Sequence, residues 1–164
     1  MLPGTDRTVI FLDVDGTVIP FGGAVPRGAG AGSGAGDGNP LLERLDPALG
    51  PRLPALGCEL VWATTWMAQA NEEVSPTLGL PVLPVVTWTD AADDPPHGLH
   101  WKTQDLVGWA AGRRFVWLDD EIRPTDQAWV AAHHPAPALL HRVDPRVGLT
   151  DEDLSSIRQW LSHQ

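Results

Sequence analysis

The sequence predicts a three-layer α/β fold, a parallel sheet of five strands with helices on both faces. Three observations lead there. Short apolar runs rich in branched and aromatic residues, such as Val9-Ile10-Phe11-Leu12 and Phe115-Val116-Trp117-Leu118, have the length and composition of buried strands. Stretches with apolar residues at helical spacing lie between these runs, and strands alternating with helices imply parallel pairing through crossovers. Three of the runs also break off in polar or acidic residues, at Asp13-Val14-Asp15, Thr64-Thr65 and Asp119-Asp120-Glu121. Ligands of such sheets gather outside the carboxyl ends of the strands.

The first strand is Thr8–Leu12. In extended chain Asp13 and Asp15 would point to one face, because side chains alternate with period two. Two like charges that close persist only with a cation between them or with one carboxyl protonated. Gly16 lets the chain turn away, and Thr17 supplies a hydroxyl able to bond back to the loop. Within 19–45 lies the Gly-rich stretch Gly22–Gly38, which buries too little apolar surface to offset its ordering entropy. It reads as a low-complexity insertion or as a mobile flap over the site. Pro47–Leu56 follows as a short or irregular helix, with Asp46 as cap, Pro51 and Pro54 limiting it and Gly57 ending it.

Glu59–Ala63 is the second strand, running into Thr64 and Thr65. A hydroxyl at a strand end, with backbone amides beyond it, can donate to phosphoryl oxygens, although such a Thr is more often structural. Met67–Val74 reads as a helix closed by Ser75-Pro76, and Leu83–Val86 as a third, short strand. Between Thr89 and His100 lie Asp90, Asp93, Asp94, His97 and His100. A transition-metal site is conceivable there, but with no second cluster of ligands a solvated loop is the better reading. Trp101-Lys102-Thr103 opens a helix whose Leu106, Val107, Ala110 and Ala111 share a face, ending at Gly112. Lys102 opposes the helix dipole, so surface stabilisation does not explain its place. The fourth strand is Phe115–Leu118; a helix through Ala128, Trp129 and Ala132 reaches His133; the fifth strand is Ala138–Val143. Thr150 with Asp151, Glu152 and Asp153 caps a last amphipathic helix through Leu154, Ile157, Trp160 and Leu161.

At 164 residues, 43% apolar and 20% charged, residues 1–164 read as one domain. A net charge of −10 and a pI near 4.8 argue against a general binder of nucleic acids or anionic membranes. Cys58 is the sole cysteine, which excludes an intramolecular disulfide and a cysteine-rich metal cage. No signal peptide or membrane span is expected, and the cytoplasm is the default location. Lys102 is the sole lysine among eleven basic residues, a hint that a compact ammonium is needed there.

Asp13-Val14-Asp15-Gly16-Thr17 after an apolar strand resembles the first motif of the haloacid dehalogenase (HAD) superfamily of phosphohydrolases. Thr64, Lys102 and Asp119-Asp120 fall in order where that superfamily carries its second, third and fourth motifs, so the resemblance spans residues 9 to 121. It implies a Rossmann-like sheet. No stretch is long enough for the separate cap domain of larger members. Leu60–Trp66, Trp101-Lys102-Thr103 and Trp117–Glu121 look more narrowly like a bacterial subgroup whose members include HAD domains attached to RNA-repair proteins.

What the resemblance implies is phosphomonoester hydrolysis through an aspartyl-phosphate. Asp13 would be the nucleophile and Asp15 the general acid and base. Thr64 and Lys102 would complete the catalytic set, and backbone amides near Val14 and Thr65 would hold the transferring oxygens. Mg²⁺ would be bound by Asp13, the carbonyl of Asp15, and Asp119 or Asp120, a choice the sequence leaves open. The substrate would be a phosphorylated small molecule or a nucleic-acid end, such as a 3'-phosphate, with Trp66, Trp88 and Trp101 able to stack on a base. A receiver-like signalling domain uses similar residues, but there the Lys follows the last strand, whereas Lys102 precedes the second acidic cluster. A non-catalytic phosphate- or metal-binding module and a phosphotransferase remain alternatives, and oligomeric state is unread.

Overall fold

Four short apolar segments pair side by side, all parallel, in a computed structural model that describes residues 7–21 and 40–163. The Gly22–Gly38 stretch, read above as flap or insertion, lies outside the described residues. The strands are β1 (Val9–Leu12), β2 (Glu59–Trp62), β3 (Phe115–Asp119) and β4 (Ala138–Arg142). Their spatial order is β2-β1-β3-β4. The chain leaves β1 to one side for β2 and returns to the other side for β3. Such a reversal opens a crevice over the carboxyl end of the central strand, here β1.

Among the described residues the sheet has four strands and not the expected five. Leu83–Val86 touches β2 only through a bridge between Val85 and Trp62, with Trp62 N donating to Pro84 O and Val86 N to Trp62 O, both at 2.9 Å. Pro81 and Pro84 lack the N–H that a ladder needs, so the segment follows the edge of β2 without becoming a strand.

Side-chain parity divides the core into two layers. Ile10, Leu12, Leu60, Trp62, Val116 and Leu118 pack on one face with Leu49, Val74, Leu78, Leu154 and Ile157. These come from α1 (Leu49–Arg52), the wide turn Ala70–Val74, α2 (Ser75–Leu78), and α5 (Asp151–Ser162). Val9, Phe11, Val61, Phe115 and Trp117 pack on the other face with Leu106, Ala110 and Val130, from α3 (Thr103–Ala110) and α4 (Pro124–His133). Both faces of the sheet are thus covered, which is why the strands carry apolar runs in place of alternation.

Several helix ends follow their sequence signals, but the left-handed cap of α3 is Ala111 (φ 51°), one residue before the expected Gly112, and Met67 (φ 53°) lies outside the helix expected to begin there. Asp46 Oδ1 accepts the Ala48 amide at 3.0 Å, Gly57 turns the chain at φ 76°, and Thr150 and Asp153 form a reciprocal cap on α5. Ser75-Pro76 does not close its helix as expected. The Ser75 amide reaches back five residues to Ala70 O, and the wider turn makes room for the proline ring, so helical chain continues to Leu78. No helix among the described residues is long and apolar enough to cross a membrane.

Candidate active site

Strand parity decides which acids meet. Asp13 continues the alternation of Val9 and Phe11, and Asp119 that of Phe115 and Trp117, so both carboxylates fall on the α3 side of the sheet. Lys102, immediately before α3, arrives between them. Its Nζ lies 3.0 Å from Asp13 Oδ1 and 2.8 Å from Asp119 Oδ2. All three are buried, at 7%, 3% and 1% exposure for Asp13, Lys102 and Asp119. Carboxylate oxygens of Asp13, Asp119 and Asp120 lie within 4.8 Å of one another.

A cleft of about 140 Å³ opens over these groups, with Asp15, Thr65, Trp101 and Phe21 among its walls. The chain leaves extended geometry after Asp13, and amides of Thr17, Val18 and Ile19 all turn back to Val14 O. Asp15 therefore lies in a turn, where its Oδ2 accepts from Trp66 Nε1 at 3.2 Å. Its carboxylate is not part of the three-acid group. The Val14 amide bonds the Asp13 carboxyl. Gly16 has φ 76°, and a Cβ there would stand 2.5 Å from Asp120 Oδ2, so only glycine lets this turn pass under the second acidic loop.

The two threonines differ. Thr64 is fully buried, with its Oγ1 accepting the Trp66 amide at 3.1 Å and its carbonyl accepting from Trp88 Nε1 at 3.2 Å. Thr65, one residue on, is exposed and lines the cleft. Thr17 departs from expectation: its Oγ1 is buried with no partner among the described residues, and it is its carbonyl that serves the fold, accepting from Leu149 N at 2.9 Å.

A family model described as "HAD domain in Swiss Army Knife RNA repair proteins" matches residues 9–154. The chain belongs to that family. No curated protein and no solved structure matches it. Family membership makes this a HAD domain of hydrolase type, from a group associated with RNA repair proteins.

The electrostatics of this HAD domain follow from burial and one ammonium. Burial pushes the Asp13 carboxyl up, and although Lys102 pulls it down, the Asp119 charge adds to burial and leaves it at about 7. Burial acts on Asp119 too, but Lys102 and the Glu121 amide outweigh it and hold Asp119 below the usual carboxylate range. Asp120 is pushed up to about 6 by burial, by a hydrogen bond to the Asp119 carboxyl and by its charge. Burial alone would lower Lys102, yet Asp13 and Asp119 hold it above its ordinary value. Two carboxyls crowded upward beside a third, all hard oxygen donors, match the preference of Mg²⁺. The residues present therefore fit that ion.

Two buried polar residues were not legible as part of the site. His100, expected in a solvated loop, is 4% exposed and lines the cleft. Its Nδ1 accepts the Lys102 amide at 3.1 Å and its Nε2 lies 3.2 Å from Glu121 Oε2. Asp126 has no exposure and binds three donors: His100 N at 2.8 Å, Thr103 Oγ1 at 2.8 Å and Arg123 N at 2.9 Å. It fixes the start of α3 to the start of α4. The position of His100 two residues before Lys102 was the available signal, since that spacing suits a side-chain acceptor for the lysine amide. His97, Asp93 and Asp94 stay exposed.

Proposed function

We propose that this HAD domain is a Mg²⁺-dependent phosphatase that hydrolyses phosphomonoesters through an aspartyl-phosphate. The observation that carries the reading is the buried ammonium of Lys102 between Asp13 and Asp119, beside a third carboxylate. A lysine so placed neutralises the nucleophile's surroundings and can hold a phosphoryl oxygen above it. Asp13 would attack phosphorus, forming an acyl phosphate as the bond to the leaving oxygen breaks. Asp15, steadied by Trp66, would give its proton to that oxygen and then take one from the water that cleaves the acyl phosphate. Thr65 at the cleft wall and Thr64 behind it would help hold the transferring oxygens. Asp13, Asp119, Asp120 and the Asp15 carbonyl would hold Mg²⁺, which when bound supplies Lewis-acid neutralisation of phosphate charge.

The substrate we favour is a nucleic-acid end bearing a 3'-phosphate. The family description supports that class, and so do aromatic surfaces at the cleft: Trp101 edge-on to Trp88 at 4.8 Å, and Phe21, 56% exposed, among the cleft walls. The test is phosphate release from p-nitrophenyl phosphate with Mg²⁺ or EDTA, by wild type and Asp13→Asn, then from oligonucleotides with 3'-phosphate or 5'-phosphate ends. Turnover should need Mg²⁺ and fall at least ~10³-fold in Asp13→Asn, as expected when a nucleophile is removed. Full activity in that variant would overturn the mechanism, and indifference to the 3'-phosphate would overturn the substrate.

A further inference from the structure

Lys102 has four torsions between its backbone and its ammonium, yet the ammonium must meet two carboxylates at once. What fixes its base is a closed ring of hydrogen bonds. Asp119 Oδ2 meets Lys102 Nζ at 2.8 Å, Lys102 N donates to His100 Nδ1 at 3.1 Å, His100 Nε2 meets Glu121 Oε2 at 3.2 Å, and Glu121 N donates to Asp119 Oδ1 at 3.0 Å. The ring joins the loop before α3 to the loop after β3.

The chemistry of each contact sets the tautomer of His100. A backbone amide can only donate, so Nδ1 is the acceptor, and the proton of the neutral imidazole stands on Nε2, where it donates to Glu121. The ring is held further by stacking on Trp101 (centroids 5.6 Å, planes 25° apart) and an edge contact with Trp117 at 5.4 Å, while the His100 amide binds Asp126. A shorter acceptor could serve the Lys102 amide but could not also reach Glu121, whose side chain is 63% exposed at the cleft.

We propose that His100 is a positioning residue for phosphoryl transfer: backed by Glu121, it holds the Lys102 backbone so that the ammonium stands between Asp13 and Asp119, where it can hold a phosphoryl oxygen beside the nucleophile. This role rests on the phosphatase reading. Misplacing a reacting group by about 1 Å costs on the order of 10²-fold in rate.

The unique lysine makes the contact directly observable. Protein labelled with ¹⁵N-lysine and ¹⁵N-histidine should give one lysine amide signal, with a nitrogen–nitrogen coupling across its hydrogen bond to one histidine Nδ1. Absence of that coupling overturns the proposal. With p-nitrophenyl phosphate and Mg²⁺, His100→Ala should lower kcat by roughly 10- to 100-fold with KM within about threefold of wild type. His100→Asn should recover most of the kcat, because its Oδ1 can accept the amide two residues on. Glu121→Ala should lie between wild type and His100→Ala, and it carries the kinetic comparison if His100→Ala does not fold. Wild-type kcat in the variants, or an Asn variant no better than Ala, overturns the positioning role while leaving the phosphatase intact. A wild type without turnover overturns the phosphatase reading, and this role falls with it.

Discussion

Replacing Lys102 by Met keeps an unbranched side chain, one atom shorter, and removes the ammonium that stands between Asp13 and Asp119. Both carboxylates are nearly sealed from water, so neither can be screened in its place. Removing one partner of a buried charge pair costs about 3–5 kcal/mol. In a domain of this size each kcal/mol moves the midpoint by roughly 2–4 °C, so the metal-free variant should melt about 10 °C below wild type at pH 8. The pH dependence has a definite sign. Asp13 stands at about 7 in the folded protein against 3.8 unfolded, so the folded state holds the proton more tightly. Stability from that proton is complete below pH ~4 and is lost as pH rises through ~7, an effect of about 4 kcal/mol for three pKa units. Without Lys102 the Asp13 carboxyl moves higher still, and the loss extends to higher pH. The gap between variant and wild type should therefore be narrower at pH 5, where Asp119 alone loses its counter-charge, and widest above pH 7. Thermal or urea unfolding in EDTA at both pH values measures it. Equal stability at pH 8 would refute the claim that the ammonium compensates two buried charges.

Two further substitutions test the parts that carry the acids. Gly16→Ala combines a left-handed backbone, costing about 1–2 kcal/mol, with a methyl aimed at Asp120 Oδ2, so activity should need more Mg²⁺ for half-saturation; an unchanged Mg²⁺ titration would show that the turn does not place Asp120. Asp126→Ala orphans two backbone amides and the Thr103 hydroxyl, and should lower stability by about 3 kcal/mol or more in urea unfolding. A loss under about 1 kcal/mol would mean that the two helix starts are held by other contacts.

The acids and the lysine were legible because each breaks a local rule. Asp13 and Asp119 end apolar strands in charge, and Lys102 sits where a helix dipole disfavours it. His100 and Asp126 break no such rule. The contact of His100 with Glu121 and that of Asp126 with the His100 amide join residues 21 and 26 apart, which no local pattern encodes; only the contact of His100 with the Lys102 amide is local. The expected third strand fails for the opposite reason: Leu83–Val86 has the apolar content of a strand, but Pro84 has no N–H and limits the segment to one bridge. Between Thr64 and Thr65 the decision turns on where β2 ends. Pairing stops at Trp62 and the chain bends, so the rule of alternation no longer says which hydroxyl faces the cleft.

The topology explains why the lysine is needed as well as the acids. A central strand flanked by β2 and β3 has its carboxyl end enclosed on both sides, so an acid placed there loses water whatever its chemistry. Strand parity sends Asp13 and Asp119 to the same side, which doubles the problem. The solution must come from the layer covering that side, and the first residue to reach it is the one that opens α3. A long guanidinium would spread its charge across a fork, whereas an ammonium puts it at one point within 3.0 Å of both carboxylates. That single charge settles Asp119 but leaves Asp13 and Asp120 pushed upward. The remaining imbalance is local and lies at the cleft, where the cation and phosphate of the proposed reaction would be held.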